Sequence, residues 1–199
     1  MRFGRVEVTG GFLLLLTWFF YLDRHALFLI SAAACLIHEL GHYAVIHCTG
    51  RTVKRLYITA YGAAMEVEPS LCYGQEALVA LAGPGVNLLF AFFLARWTDL
   101  ALFAGLNLML GCFNLLPMGQ LDGGRFLHCL TALLTDHELA TRICTCISSV
   151  LSLLVLTAGI LVFRETGNVT LLCVGLWQLS AVNPVKTLLL GLVMTLRNR

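Results

Sequence analysis

Charged residues are scarce in this sequence: they make up 12% of 199 residues, against 59% in the hydrophobic set. A soluble domain of this length must cover its surface with polar groups. The few charges here are too clustered to do that. A net charge of +2, with neither a basic stripe nor an acidic tail, excludes nucleic acid as an expected partner. No CxxC pair occurs among the eight cysteines, which removes the usual signature of a zinc ribbon or a small disulfide scaffold. Cys35, Cys112, Cys129, Cys144, Cys146 and Cys173 lie inside apolar runs and read as free thiols filling small apolar sites. Repeats, low-complexity tracts and flexible linkers are missing too, so a single membrane-embedded domain over residues 1–199 is expected.

What remains is long apolar stretches separated by short charged breaks, with a mean hydropathy of +0.86. Such stretches read as transmembrane helices. Candidate spans fall at roughly 10–22, 26–48, 75–95, 99–117, 140–163 and 167–184. The expected fold is therefore an all-α polytopic membrane protein of about six transmembrane helices. The first run is short for a span, and Asp23, Arg24 and His25 after it argue against one continuous helix into the second. No small-residue cleavage pattern follows it, so this segment is expected to be retained rather than removed as a signal peptide. Between the second and third spans, Thr52–Thr59 and Ala63–Glu68 partly alternate around Tyr61 and Gly62, which predicts a hairpin at the membrane surface. Arg5–Thr9 could add a third strand.

Lys and Arg set an orientation. With the N-terminus cytosolic and all six spans crossing, the cytosolic side holds Arg2, Arg5, Arg51, Lys54, Arg55, Arg125, Arg142, Lys186, Arg197 and Arg199. The other side holds only Arg24, Arg96 and Arg164. That asymmetry follows the positive-inside rule and puts both termini in the cytosol.

Inside the second span lies His38-Glu39-Leu40-Gly41-His42. On a helix, positions i and i+4 are about 40° apart and one turn along the axis, so both imidazoles can reach one zinc ion. Glu39 can then stand beside the metal and take a proton from an attacking water. The alternative is a polar patch that hydrogen-bonds one helix to another. It needs neither this spacing nor this combination, and three ionisable groups in an apolar span are costly unless coordinated, paired or wetted.

Two histidines leave a catalytic zinc one protein ligand short. Asp122, in Asn114-Leu115-Leu116-Pro117-Met118-Gly119-Gln120-Leu121-Asp122-Gly123-Gly124, is the outstanding carboxylate beside an apolar span. Pro117 and Gly119 disfavour a regular helix, and Gly123-Gly124 allows an unhindered turn, so Asp122 is expected on irregular backbone lining a wet cavity. An ordinary turn aspartate is the competing reading. Pro84, between Gly83 and Gly85, is expected to break or kink the third span. Asn87 could donate to a substrate carbonyl or oxyanion, or could bond another helix. Cys35, three residues before His38, could meet the metal in a resting state or simply fill the core.

HELGH in an early span and NLLPMGQLDGG in a later one resemble the two signature elements of the site-2 protease family of intramembrane zinc metalloproteases. Ala82-Gly83-Pro84-Gly85-Val86-Asn87 resembles that family's AGP-x-x-N segment, and the match runs in the family's order over roughly residues 30 to 128. The resemblance implies one Zn2+ on His38, His42 and Asp122, with Glu39 as catalytic acid/base and Asn87 near the active site. It implies hydrolysis of a peptide bond within or beside a transmembrane segment of a membrane-bound protein substrate. The compact build, with an early HELGH and no inserted PDZ domain, is similar to the branch that includes the sporulation sigma-factor processing proteases; that branch commonly carries a C-terminal CBS domain, and neither that domain nor its nucleotide sensing is expected here. A bacterial cell membrane is then the expected location, with regulatory membrane proteins or a second copy as further partners. Met118-Gly119-Gln120 departs from the Pro-rich stretch often found before LDGG, which concerns the loop's shape rather than the ligand. A metal-ion transporter could also use intramembrane His and Asp, and a catalytically silent scaffold is the third alternative. The transporter has no need of Glu39 within HExxH, and an intact Glu39 with three candidate ligands counts against the scaffold.

Overall fold

A computed structural model describes residues 2–3, 6–10, 16–17, 21, 27–59, 62–119 and 121–182. The first candidate span and the Asp23-Arg24-His25 break lie almost wholly outside the described residues. The chain divides into two compact units, Met1–Asn114 and Leu115–Arg199.

The first unit holds a small sheet and three helices. Strands β1 (Arg2–Phe3), β2 (Val6–Val8), β3 (Thr52–Thr59) and β4 (Gly62–Glu68) lie side by side in that order. The hairpin expected from alternation is β3–β4, paired antiparallel with Leu56 opposite Met65 and Val53 opposite Val67. Lys54 Nζ reaches Glu68 Oε2 at 2.9 Å across the pair, and this contact holds the Lys54 ammonium above its ordinary pKa. The third strand is β2, which runs parallel to β3 with Val6 opposite Leu56. β1 was not foreseen, because two residues are too few to show alternation.

Helix α1 spans Leu27–Cys48 and ends where Gly50 takes a φ of 72°, with its N–H bonding the His47 carbonyl. Helix α2 spans Tyr73–Leu94; the Gln75 side chain accepts from the Cys72 N–H at its start. Pro84 does not break it. The helix continues through the proline, which is buried, so the expectation of a break is corrected. The lost N–H costs one rung of the ladder, and neighbouring turns and packed helices sustain the rest. A short 3-10 turn, Thr98–Leu100, leads into α3, Ala101–Asn114.

The second unit holds α4 (Asp122–Leu134), α5 (His137–Thr166) and α6 (Thr170–Val182). Asp136 caps α5 by accepting the Leu139 N–H at 2.7 Å. α5 and α6 pack through small residues: a Cβ on Gly175 would stand 2.8 Å from the Leu156 Cα. Helix α4 was missed by periodicity, for its apolar residues begin only after Asp122-Gly123-Gly124-Arg125.

Three described helices, α1, α2 and α5, are long and apolar enough to cross a membrane, and α3 and α6 are shorter apolar helices. Only 28%, 33% and 17% of their apolar windows are buried. Leu36, Phe92, Phe93, Met109, Leu154 and Leu161 face outward, whereas Asn87, Asn107, Ser148, Ser152 and Gln178 are buried. Apolar outside and polar inside is the arrangement for which lipid is the solvent. The same inversion corrects the reading of the thiols: Cys129 and Cys144 are buried, while Cys35, Cys112, Cys146 and Cys173 are exposed.

Candidate metal centre

His38, Gly41 and His42 fall on the buried stripe of α1, with Ala34 and Ile46 above and below. Cys35 is turned outward and exposed, which leaves the resting-state thiol without support. Glu39 is half-buried beside the pair.

Helix α2 decides which ring nitrogens carry protons. His42 Nδ1 lies 2.7 Å from the Val79 carbonyl, which only accepts, so Nδ1 donates. His38 Nδ1 lies 2.7 Å from Asn87 Oδ1. Asn87 Nδ2 stands 3.2 Å from the Ala34 carbonyl and 2.7 Å from Asn107 Oδ1, which takes up both amide hydrogens. Oδ1 is therefore the atom that faces His38, and His38 Nδ1 also donates. Of the two readings of Asn87, this geometry favours the helix-bonding one, since no amide hydrogen remains for an oxyanion.

Both Nε2 atoms then point lone pairs at one another across 3.1 Å. Such a pair is repulsive unless a cation is shared between them. Two nitrogens at ~2.0–2.1 Å from one tetrahedral ion lie about 3.3 Å apart, so the spacing fits zinc. A hydrogen-bond acceptor on each Nδ1 is what metal-ligating histidines require. Gly83 completes the arrangement. A Cβ there would strike His42 Nε2 and stand 2.9 Å from His38 Cε1, so only glycine lets the α2 backbone lie against both rings.

In the second unit Asp122 is the first residue of α4 and is buried. The expectation of irregular backbone is corrected: only the approach through Leu121 is irregular, and Asp122, Gly123 and Gly124 are helical. The glycines are needed for closeness, not for a turn. A Cβ on Gly123 would strike the Leu115 carbonyl, and one on Gly124 the Met118 carbonyl. The loop is held by the Gly119 N–H donating to Ser148 Oγ at 2.9 Å. The carboxylate benefits from the helix N-terminus and from Arg125 Nη1 at 3.5 Å. His38, His42 and Asp122 are each buried and each offer a ligand atom; two imidazoles and a carboxylate form a donor set found at catalytic zinc.

Sequence reasoning missed Asn107 and the role of Gly83. Asn107 could have been noticed as a lone amide in an apolar run. Gly83 sits within the AGP-x-x-N segment but carries no side chain to suggest chemistry.

These features define a class: an integral membrane, mostly helical protein with a buried histidine pair set for a metal. Residues 96–158 match Peptidase family M50. A zinc metalloprotease of Methanocaldococcus jannaschii is 28% identical over 162 residues, covering 76% of this chain and 46% of its own length. Stage IV sporulation protein FB of Bacillus subtilis is 32% identical over 120 residues, covering 54% of this chain and 41% of its own. The chain thus spans less than half the length of these curated relatives. The solved site-2 protease from Methanocaldococcus jannaschii superposes with a TM-score of 0.67 at 24% identity, covering 92% of each chain, and shares the fold. Residues 96–158 thus carry the M50 match, and the chain shares the fold of a solved site-2 protease.

Proposed function

We propose that this chain is an intramembrane zinc metalloprotease that hydrolyses a peptide bond within or beside a transmembrane segment of a membrane-bound protein. The carrying observation is the histidine pair, with both Nδ1 atoms bonded to acceptors and both Nε2 atoms 3.1 Å apart. His38, His42 and Asp122 would hold one Zn2+, and residues 1–199 would act as one protease domain. When bound, zinc supplies Lewis-acid activation of a water and of the scissile carbonyl. Glu39 takes the proton of the attacking water and delivers it to the leaving amine. Asn87 and the Val79 carbonyl keep the two imidazoles oriented. The Lys and Arg distribution supports an active site and both termini toward the cytosol.

Purified protein in proteoliposomes should contain one zinc per chain and cleave a membrane-anchored substrate. Zinc flux without cleavage would instead favour a transporter, and zinc-free, inactive protein would favour a scaffold.

Gly83→Ala should weaken zinc binding by about ten- to a hundredfold, the range seen when a ligand's support is disturbed. Chelator competition measures this, and unchanged helical circular dichroism shows that the fold persists. Full affinity would mean that the α2 backbone does not constrain the rings.

The hairpin supports a role in substrate capture. β4 is an outer strand of its sheet, and a strand edge offers main-chain partners to an extended peptide. Deleting residues 54–68 should abolish cleavage while zinc content is retained. Undiminished cleavage by the folded deletion would exclude this role.

A further inference from the structure

Asn107 lies on α3, is fully buried, and hydrogen-bonds to Asn87. Its hydrogen bonds nevertheless have one allowed direction. Its Nδ2 donates to the Phe103 carbonyl at 2.9 Å, and that carbonyl can only accept. The amide is thereby fixed, and its Oδ1 must be the atom facing α2. There it accepts from Asn87 Nδ2 at 2.7 Å. Asn87 is fixed in turn, so its Oδ1 faces His38 Nδ1 at 2.7 Å. If Asn87 turned over, its NH2 would face His38, Nδ1 would become the acceptor, and the proton would move to Nε2. A protonated Nε2 cannot bind a metal.

We infer that Asn107 is a positioning residue that, through Asn87, sets the tautomer of His38 and keeps Nε2 open to the metal. The polarity starts at a backbone carbonyl of α3 and passes through two amides to a ring on α1. The Ala34 carbonyl, also an acceptor for Asn87 Nδ2, lies farther away at 3.2 Å. Asn107 therefore supplies the shorter of the two bonds that hold Asn87 in place. This inference rests on the reading of His38 as a metal ligand, but the tautomer can be read without metal.

Asn107→Leu and Asn107→Asp separate the relay from mere packing. Leucine has a comparable size and no acceptor. Aspartate is close in shape to asparagine and keeps an acceptor for Asn87 Nδ2, whether protonated or not. The relay predicts zinc binding weaker by about tenfold or more in Asn107→Leu, the lower end of the effect of losing a group that orients a ligand. It predicts affinity near wild type in Asn107→Asp. A role in packing alone predicts the reverse order, because a buried acid is harder to accommodate than leucine. In metal-free protein with 15N-labelled histidine, wild type and Asn107→Asp should show His38 protonated at Nδ1, and Asn107→Leu should show a shift toward Nε2. An unchanged tautomer in Asn107→Leu, or weaker zinc binding by Asn107→Asp than by Asn107→Leu, would overturn the relay. A wild-type protein that binds no zinc would overturn the metal-site reading, while the labelled spectra still judge the relay.

Discussion

Replacing Glu39 by glutamine is expected to abolish cleavage while leaving zinc in place. The exchange keeps the size of the side chain and removes its basicity. Glu39 is not among the proposed ligands, so metal content should remain at one zinc per chain. General acid–base groups contribute about 10²- to 10⁴-fold, and the loss of kcat should fall in that range. KM should change little, because an amide fills the same half-buried position beside His38. Zinc analysis and a cleavage assay on the same preparation make the measurement. A Glu39→Gln protein that cleaves at the wild-type rate would remove Glu39 from the mechanism, and one that has lost zinc would make it a ligand. The variant should also retain bound substrate, which offers a way to capture the protein it cuts.

Asp122→Asn is expected to weaken zinc binding by more than about a hundredfold, beyond the range for groups that only support ligands. The carboxylate supplies charge as well as an oxygen, and the amide supplies a poor ligand. Asp122 is the first residue of α4, and the exchange keeps the side chain's size there, so the helix should persist. Its partner Arg125 is partly exposed and can be hydrated once the carboxylate is gone, so stability should fall little. Chelator competition together with circular dichroism distinguishes lost ligation from lost fold. Wild-type affinity in Asp122→Asn would require a different third ligand.

Several things were legible in the chain itself. The membrane class followed from the scarcity of charge, and the β3–β4 hairpin from its alternation around Gly62. The ligand types followed from spacing: His38 and His42 are i and i+4 on one helix, a relation that depends on nothing outside that helix. What periodicity could not show was where a glycine or a proline stands within a packed interior. Pro84 signals a helix break in isolation, yet α2 continues through it, because packed helices hold the turns on either side. Gly123 and Gly124 signal a turn in isolation, yet they sit in the first turn of α4, where glycine is needed because a side chain would strike the Leu115 and Met118 carbonyls. 

The sequence by itself determined the kind of solvent, the candidate ligands and the candidate acid/base beside them, because composition and helical spacing are properties of single segments. Only the tertiary structure decided which nitrogen of each histidine carries its proton. That depends on acceptors from other helices, the Val79 carbonyl and Asn87, and on Asn107 and the Phe103 carbonyl behind Asn87. The direction of a hydrogen bond is set by the partner that cannot reverse, and those partners come together only when the helices pack.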